Sequence, residues 1–243
     1  MNVPPSERLI VALDVPSAAE AQEIVYELGD LICFYKVGLQ LFTAEGPKIV
    51  SELVNSGRKV FLDLKLHDIP NTVAGAVRSA GELGVSMLTI HAVGGKKMMQ
   101  AAVEAASQSV NPPQVLAVTV LTSLSETELQ DIGVRVPIAN QVQNLATFAK
   151  SAGCRGVVAS PQEAAALRAS LGPQMAIVVP GIRPAGSDVG DQARIATPEA
   201  AIRAGASHLV IGRPITAAKN RNHAAAEIFA SIAKFSGDER AAE

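Results

Sequence analysis

Asp63, Lys65, His67 and Asp68 fall in one short run, Phe61-Leu-Asp-Leu-Lys-Leu-His-Asp-Ile-Pro-Asn-Thr72. A carboxylate two residues from an ammonium group suits acid/base or electrostatic chemistry. Ionisable groups paired in this way cluster at functional sites. Leu62, Leu64 and Leu66 alternate with Asp63, Lys65 and His67. Side chains on a strand alternate faces, so Asp63 and Lys65 share one face and the leucines take the other. In isolation the run also reads as an amphipathic strand with a wet face.

A second pair of motifs points to anion binding. Val178-Val-Pro-Gly-Ile-Arg183 and Leu209-Val-Ile-Gly-Arg213 are both apolar runs ending in a glycine and then an arginine. Glycine lets backbone N–H groups approach an anion, and arginine matches its oxygens two at a time. The glycine-rich, polar segment 184–192, which contains Gln192, is either a surface loop or a lid closing over that anion.

The elements that must position these residues are short apolar runs at 9–15, 33–39, 59–66, 87–92, 115–121, 156–160, 176–182 and 208–212. Near-continuous apolarity marks parallel strands covered by helices. Helix-like segments lie between them. Ser17 with Glu20 forms a capping box, Pro47 opens a helix to Asn55, and Pro70 one to about Leu83. Further helices are expected over 95–107, 139–151, after Ser160-Pro161, after Thr197-Pro198 and over 216–235. Strict β-α alternation implies a parallel sheet with right-handed crossovers. Eight units in 243 residues favour a single (β/α)8 TIM barrel over an open doubly wound sheet. No linker divides the chain, so 1–243 is read as one domain, with a polar, frayed tail from about 236.

Barrel chemistry sits at the C-terminal ends of the strands. The polar residues there are Asp14 on strand one, Lys36 on strand two, Asp63 and Lys65 on strand three, His91 on strand four and Thr122 after strand five. Arg183 and Arg213 follow strands seven and eight. The outer face of a barrel strand packs under helices, so the leucines of strand three belong there and Asp63 and Lys65 point inward. By the same parity Asp14 points inward, and Lys36 can. Buried charges must be paired, and two lysines between two aspartates satisfy each other. Loops after strands seven and eight of such barrels often bind phosphate. The residues alone therefore describe a barrel that binds a phosphorylated small molecule, with a Lys/Asp network at the reacting end.

Several classes are disfavoured. A net charge of -2 without a basic stripe gives no reason to expect nucleic acid. Cys33 and Cys154 are too few and too far apart for a disulfide framework, which fits a reducing, cytoplasmic setting. Neither a signal peptide nor a membrane-spanning run is visible. His67 and His91 stand alone and read as structural. No metal-ligand triad and no dinucleotide fingerprint stands out, so neither metal nor organic cofactor is expected.

The pattern D-x-K-x-x-D-I-P-N-T, from Asp63 to Thr72, resembles the signature of the orotidine 5'-phosphate decarboxylase family. Its D-x-K-x-x-D core is shared with a wider superfamily of sugar-phosphate decarboxylases and synthases, and the continuation Ile-Pro-Asn-Thr is similar to the orotidylate branch. Ala-Leu-Asp14, Tyr-Lys36-Val-Gly, the segment ending in Thr122-Ser, Pro-Gly-Ile-Arg183-Pro, Gln192 and Ile-Gly-Arg213-Pro-Ile extend the likeness over essentially the whole chain. The resemblance implies cofactor-free decarboxylation of orotidine 5'-phosphate to UMP, the last step of de novo pyrimidine synthesis. It implies Lys65 as proton donor to C6 and Asp63 beside the departing carboxylate. Lys36 and Asp14 would hold the ribose hydroxyls and complete the charge network, with Lys36 counted with Lys65 and Asp63 among the catalytic residues, and Thr122 would help bind the pyrimidine. Arg183, Gln192, Arg213 and the Gly212 backbone would bind the phosphate. It also implies a homodimer in which Asp68, Ile69 and Thr72 complete the partner's site, with Asp68 among the catalytic residues. Two other readings stay open: a non-catalytic phosphometabolite-binding barrel, and a metal-dependent sugar-phosphate enzyme of the same superfamily.

Overall fold

The eight apolar runs close on themselves. A computed structural model of the chain describes residues 3–184 and 196–238. Its strands are Leu9–Ala12 (β1), Phe34–Gly38 (β2), Lys59–Leu66 (β3), Met87–His91 (β4), Gln114–Val118 (β5), Gly156–Val158 (β6), Ala176–Val179 (β7) and His208–Ile211 (β8). Each pairs in parallel with the next, and β8 returns to β1, giving a closed (β/α)8 barrel.

Parity sorts the side chains into two cores. Ile10, Ala12, Phe34, Phe61, Met87, Leu116, Ala176, Val178 and Val210 fill the bore. The other parity of the same strands, such as Leu9, Val11, Tyr35, Val37 and Leu62, packs outward under the helices, joined by the half-buried Leu64 and Leu66. The leucines of β3 thus lie where the barrel needs oil. Gly156 is required where β5, β6 and β7 crowd together: a Cβ there would stand 2.6 Å from the Ala176 carbonyl oxygen and 2.8 Å from Leu116.

The helices start where the sequence signals them. The Ser17 hydroxyl accepts the Glu20 N–H at the head of Ala18–Leu28. Pro47 opens Pro47–Asn55 and Pro70 opens Pro70–Glu82, a position where the missing N–H costs nothing. Ser160 and Glu163 form a reciprocal cap ahead of Ala164–Leu171, and Thr197 caps Pro198–Arg203.

The boundaries differ in places that matter. β1 ends at Ala12 and β5 at Val118, so Asp14 and Thr122 lie in loops beyond their strands. The expected helix over 216–235 is two, Arg213–Thr216 and Arg221–Asp238, so helix continues into the expected tail. Three short helices, Pro5–Arg8, Leu39–Glu45 and Glu126–Asp131, have no counterpart among the expected elements. The first and second directly abut strands, with no polar turn between to announce them.

Candidate active site

The C-terminal ends of the strands open into a cavity of about 540 Å³, lined by Asp14, Lys36, Asp63, Lys65, Thr122, Arg183, Gly212 and Arg213 among others. Four of these form a continuous ion chain. Lys36 Nζ lies 2.7 Å from Asp14 Oδ1 and 3.9 Å from Asp63 Oδ2. Lys65 Nζ donates to both Asp63 oxygens, each at 3.0 Å. Side-chain exposure runs from 56% at Asp14 through 9% at Lys36 and 15% at Asp63 to 31% at Lys65. The most buried ammonium therefore lies between two carboxylates, which offsets its desolvation.

Each member reaches the mouth by its own route. Lys36 is carried by β2, two residues after the bore residue Phe34. Asp14 follows β1, where the Leu13 N–H bonds the Lys36 carbonyl at 2.9 Å and ties the two segments together. Asp63 shares the parity of Phe61. Lys65 does not simply follow by alternation. The pairing of β3 with β4 slips between Leu62, opposite Leu88, and Leu66, opposite Ile90. Four steps along β3 thus face two along β4, and within this bulge Lys65 takes φ 50°, the one positive φ among the described non-glycine residues. Left-handed backbone is costly for a side chain of this kind and persists only where surroundings impose it.

Two glycines shape the mouth. A Cβ on Gly38 would stand 2.7 Å from Lys36 Nζ and 3.0 Å from Asp14 Oδ1. Gly212 lies over β1, with ordinary contact distances to Ala12.

Of the two arginines that line the cavity, Arg183 is buried and Arg213 exposed. The Arg183 guanidinium donates to the Ile182 carbonyl at 2.9 Å, and its backbone N–H to Ala196 at 2.9 Å. Arg213 is the first residue of the short helix that Gly212 precedes. Two arginines lining the same cavity as the ion chain suit a ligand that carries an anion as well as a reacting centre. Gln192 and the rest of the 184–192 segment after Pro184 lie outside the described residues.

Asp68, Ile69 and Thr72 are not brought into this cavity. They sit in an exposed run after β3, where Asp68 Oδ1 accepts the Ile69 N–H at 2.6 Å and Ile69 is 67% exposed. His67 and His91 do not stand alone: their rings lie 5.7 Å apart. Burial, then the charges of His67 and Lys65, pushes the His91 pKa down. Among the described residues no three His, Cys, Asp or Glu side chains converge as a metal site.

The family model described as "Orotidine 5'-phosphate decarboxylase / HUMPS family" matches residues 7–228. The chain belongs to this family. It is 51% identical over 233 residues to the orotidine 5'-phosphate decarboxylase of Halorhodospira halophila, covering 96% of this chain and 99% of the relative. Identity to the protein of that name from Moorella thermoacetica is also 51%, covering 93% and 92%. Among solved structures, orotidine 5'-phosphate decarboxylase from Lactobacillus acidophilus superposes with a TM-score of 0.84 at 38% identity, covering 93% of this chain and 99% of that one.

In this barrel of the orotidine 5'-phosphate decarboxylase / HUMPS family, Gly38, which lines the cavity, and Thr89, which bonds Asp63 and Lys65 from beneath, are not among the expected site residues. Gly38 was legible only as part of Tyr-Lys-Val-Gly. Thr89 of β4 gave no signal at all: inside Met-Leu-Thr-Ile it reads as one more β-branched strand residue.

Proposed function

We propose that this chain decarboxylates orotidine 5'-phosphate to UMP and carbon dioxide, the last step of de novo UMP biosynthesis, within a single barrel domain. The observation that carries the reading is the ion chain, with Lys65 held on both oxygens of Asp63 in a cavity that Arg183 and Arg213 also line. Relatives of that name at about half identity over nearly the full chain support it.

In this reading the two arginines, the Gly212 backbone and Gln192 hold the phosphate, Thr122 helps hold the pyrimidine, and Asp14 and Lys36 take the ribose hydroxyls. The bond between C6 and the carboxylate breaks, its electron pair stays on C6, and neutral carbon dioxide leaves. Lys65 Nζ then gives its proton to C6, ending neutral until it is reprotonated. An ammonium group fixed before the reaction stabilises the new charge without reorganising. Asp63 holds that ammonium on both of its oxygens and aims it. Phosphate binding, remote from the breaking bond, can add to the rate by holding the substrate closed in the site. No metal or organic cofactor enters this scheme.

The exposed run of Asp68, Ile69 and Thr72 supports a homodimer in which these residues complete the partner's site. A biosynthetic role and two widely separated cysteines support a cytoplasmic setting.

The test is loss of orotidine 5'-phosphate, followed by ultraviolet absorbance with purified protein, with and without EDTA. Turnover insensitive to EDTA is expected. Loss of turnover on chelation would overturn the cofactor-free scheme. Binding of UMP without turnover would make the protein a phosphometabolite-binding barrel.

A further inference from the structure

We propose that Thr89 is a positioning residue that holds Lys65 and Asp63 in their working geometry. The inference rests on the reading of Lys65 as the proton donor. Thr89 lies on β4 two residues after Met87, a bore residue, so its side chain faces the bore, where it is 1% exposed. Its hydroxyl makes two bonds at once. Oγ1 accepts the backbone N–H of Lys65 at 2.9 Å and donates its proton to Asp63 Oδ1 at 2.9 Å. One hydroxyl proton and one lone pair are thus both committed to the two groups that bracket the ion pair.

The placement coincides with the break in the sheet. The Lys65 N–H falls within the slipped stretch between Leu62 and Leu66, where regular pairing with β4 is interrupted. It would lack a strand partner, and the Thr89 hydroxyl supplies one. That bond anchors the only described non-glycine residue with positive φ. The same hydroxyl fixes Asp63 Oδ1, one of the two oxygens that aim Lys65 Nζ. Thr89 therefore sets the backbone from which the lysine projects and the carboxylate toward which it points. Without the hydroxyl, the half-buried N–H loses its acceptor and the carboxylate one donor, and relaxation of the bulge moves Nζ.

The experiment compares wild type with Thr89→Val and Thr89→Ser, and includes Lys65→Ala. Each variant is assayed for kcat, KM and UMP affinity, and for its thermal melt. Thr89→Val keeps the shape and removes both bonds. A displacement near 1 Å costs on the order of 10²-fold, so kcat should fall by that order. KM and UMP affinity should stay close to wild type, because ribose and phosphate are held elsewhere. Thr89→Ser, which keeps the hydroxyl, should retain most of the turnover. A general loosening of the barrel would instead weaken UMP binding and lower the melt in step with kcat. Wild-type kcat in Thr89→Val, or equal kcat loss in the Ser and Val variants, overturns the proposal. If Thr89→Val does not fold, Thr89→Ala takes its place under the same criteria, and Thr89→Ser must still retain kcat. Substantial turnover in Lys65→Ala would instead overturn the role of the lysine itself, which separates the two failures.

Discussion

Gly38→Ala should damage the ion chain while sparing the fold. The backbone at Gly38 has φ -101° and ψ -173°, which alanine adopts without strain. The obstacle is steric and local. The new Cβ would lie 2.7 Å from Lys36 Nζ and 3.0 Å from Asp14 Oδ1, against an ordinary contact of at least 3.4 Å. Nζ must therefore retreat by at least 0.7 Å (3.4 less 2.7) and Oδ1 by 0.4 Å (3.4 less 3.0). Both atoms sit at the ends of side chains, so they can move, but they are partners at 2.7 Å and cannot both yield without re-forming the pair elsewhere. Lys36 is also the link to Asp63 at 3.9 Å, so its retreat propagates toward Lys65. Misplacement on the 1 Å scale costs about 10²-fold, so a loss of roughly 10- to 100-fold in kcat/KM is expected, about 1.4–2.7 kcal/mol. Stability should change by no more than about 1 kcal/mol, because a poorer helix cap and a less flexible unfolded chain act in opposite directions. Ultraviolet assay of orotidine 5'-phosphate loss and a thermal melt measure both. Unchanged kcat/KM would refute the steric reasoning, and a collapse of the melt would show that the fold, not the ion pair, depends on this glycine.

Arg213→Ala should weaken UMP far more than uridine; equal weakening of both ligands in a calorimetric titration would remove its assignment to phosphate. Asp68→Ala should abolish turnover without affecting the fold, and mixing it with an inactive Lys65→Ala variant should restore part of the activity through mixed dimers; no recovery on mixing would count against a shared site. Stability should fall in acid because of His208 at the base of the bore, which is 2% exposed, packs edge-on to Phe34 and leaves Nδ1 without a hydrogen-bond partner. Burial first, then the charges of Arg8 and Lys59, lowers its pKa to about 4. The unfolded chain takes up this proton near the ordinary value of about 6.5 and the folded one only near 4, so stability is full above that window and drains as pH falls through it. From about pH 7.5 to about pH 5 the loss should be about 2 kcal/mol, and His208→Gln should remove that slope from denaturant melts; an identical slope in the variant would assign it to other groups.

How far the sequence reached depended on whether a feature followed a period. The barrel, the bore parity of Phe61 and Asp63, and the outward leucines all follow from alternation, and the structure keeps them. Lys65 reaches the expected cavity by another route. Alternation puts it there on a regular strand, whereas the strand bulges and turns the residue through a positive φ. A bulge is set by both strands, so no pattern within residues 59–66 could announce it. Thr89 escaped for a related reason, since its role exists only because the neighbouring strand slips. The reciprocal cap of Ser125 with Glu128 is different. Its Ser-x-x-Glu spacing is local and legible in the sequence, and the helix Glu126–Asp131 that it caps adds an element within a β-α connection to the expected alternation.

The slip also explains how the site can hold so much charge without being loose. Within the ion chain two carboxylates and two ammonium groups cancel in number, and the net positive charge of the cavity comes from Arg183 and Arg213. The proposed reaction needs a change in where negative charge sits: it would leave the substrate carboxylate as carbon dioxide forms and collect on C6. A chain of mobile surface ions would follow that shift by rearranging, and the rearrangement would add to the barrier. Here each ion is held by named partners. Lys36 is pinned between two carboxylates, Asp63 accepts Thr89 and both approaches of Lys65, and the Lys65 backbone is tied to β4 through a side chain rather than through the regular ladder. The strain of one left-handed lysine and the loss of regular pairing are the cost of that fixity. The rigid bore beneath it, filled by Phe34, Phe61, Met87 and Leu116, is what lets the barrel carry the cost.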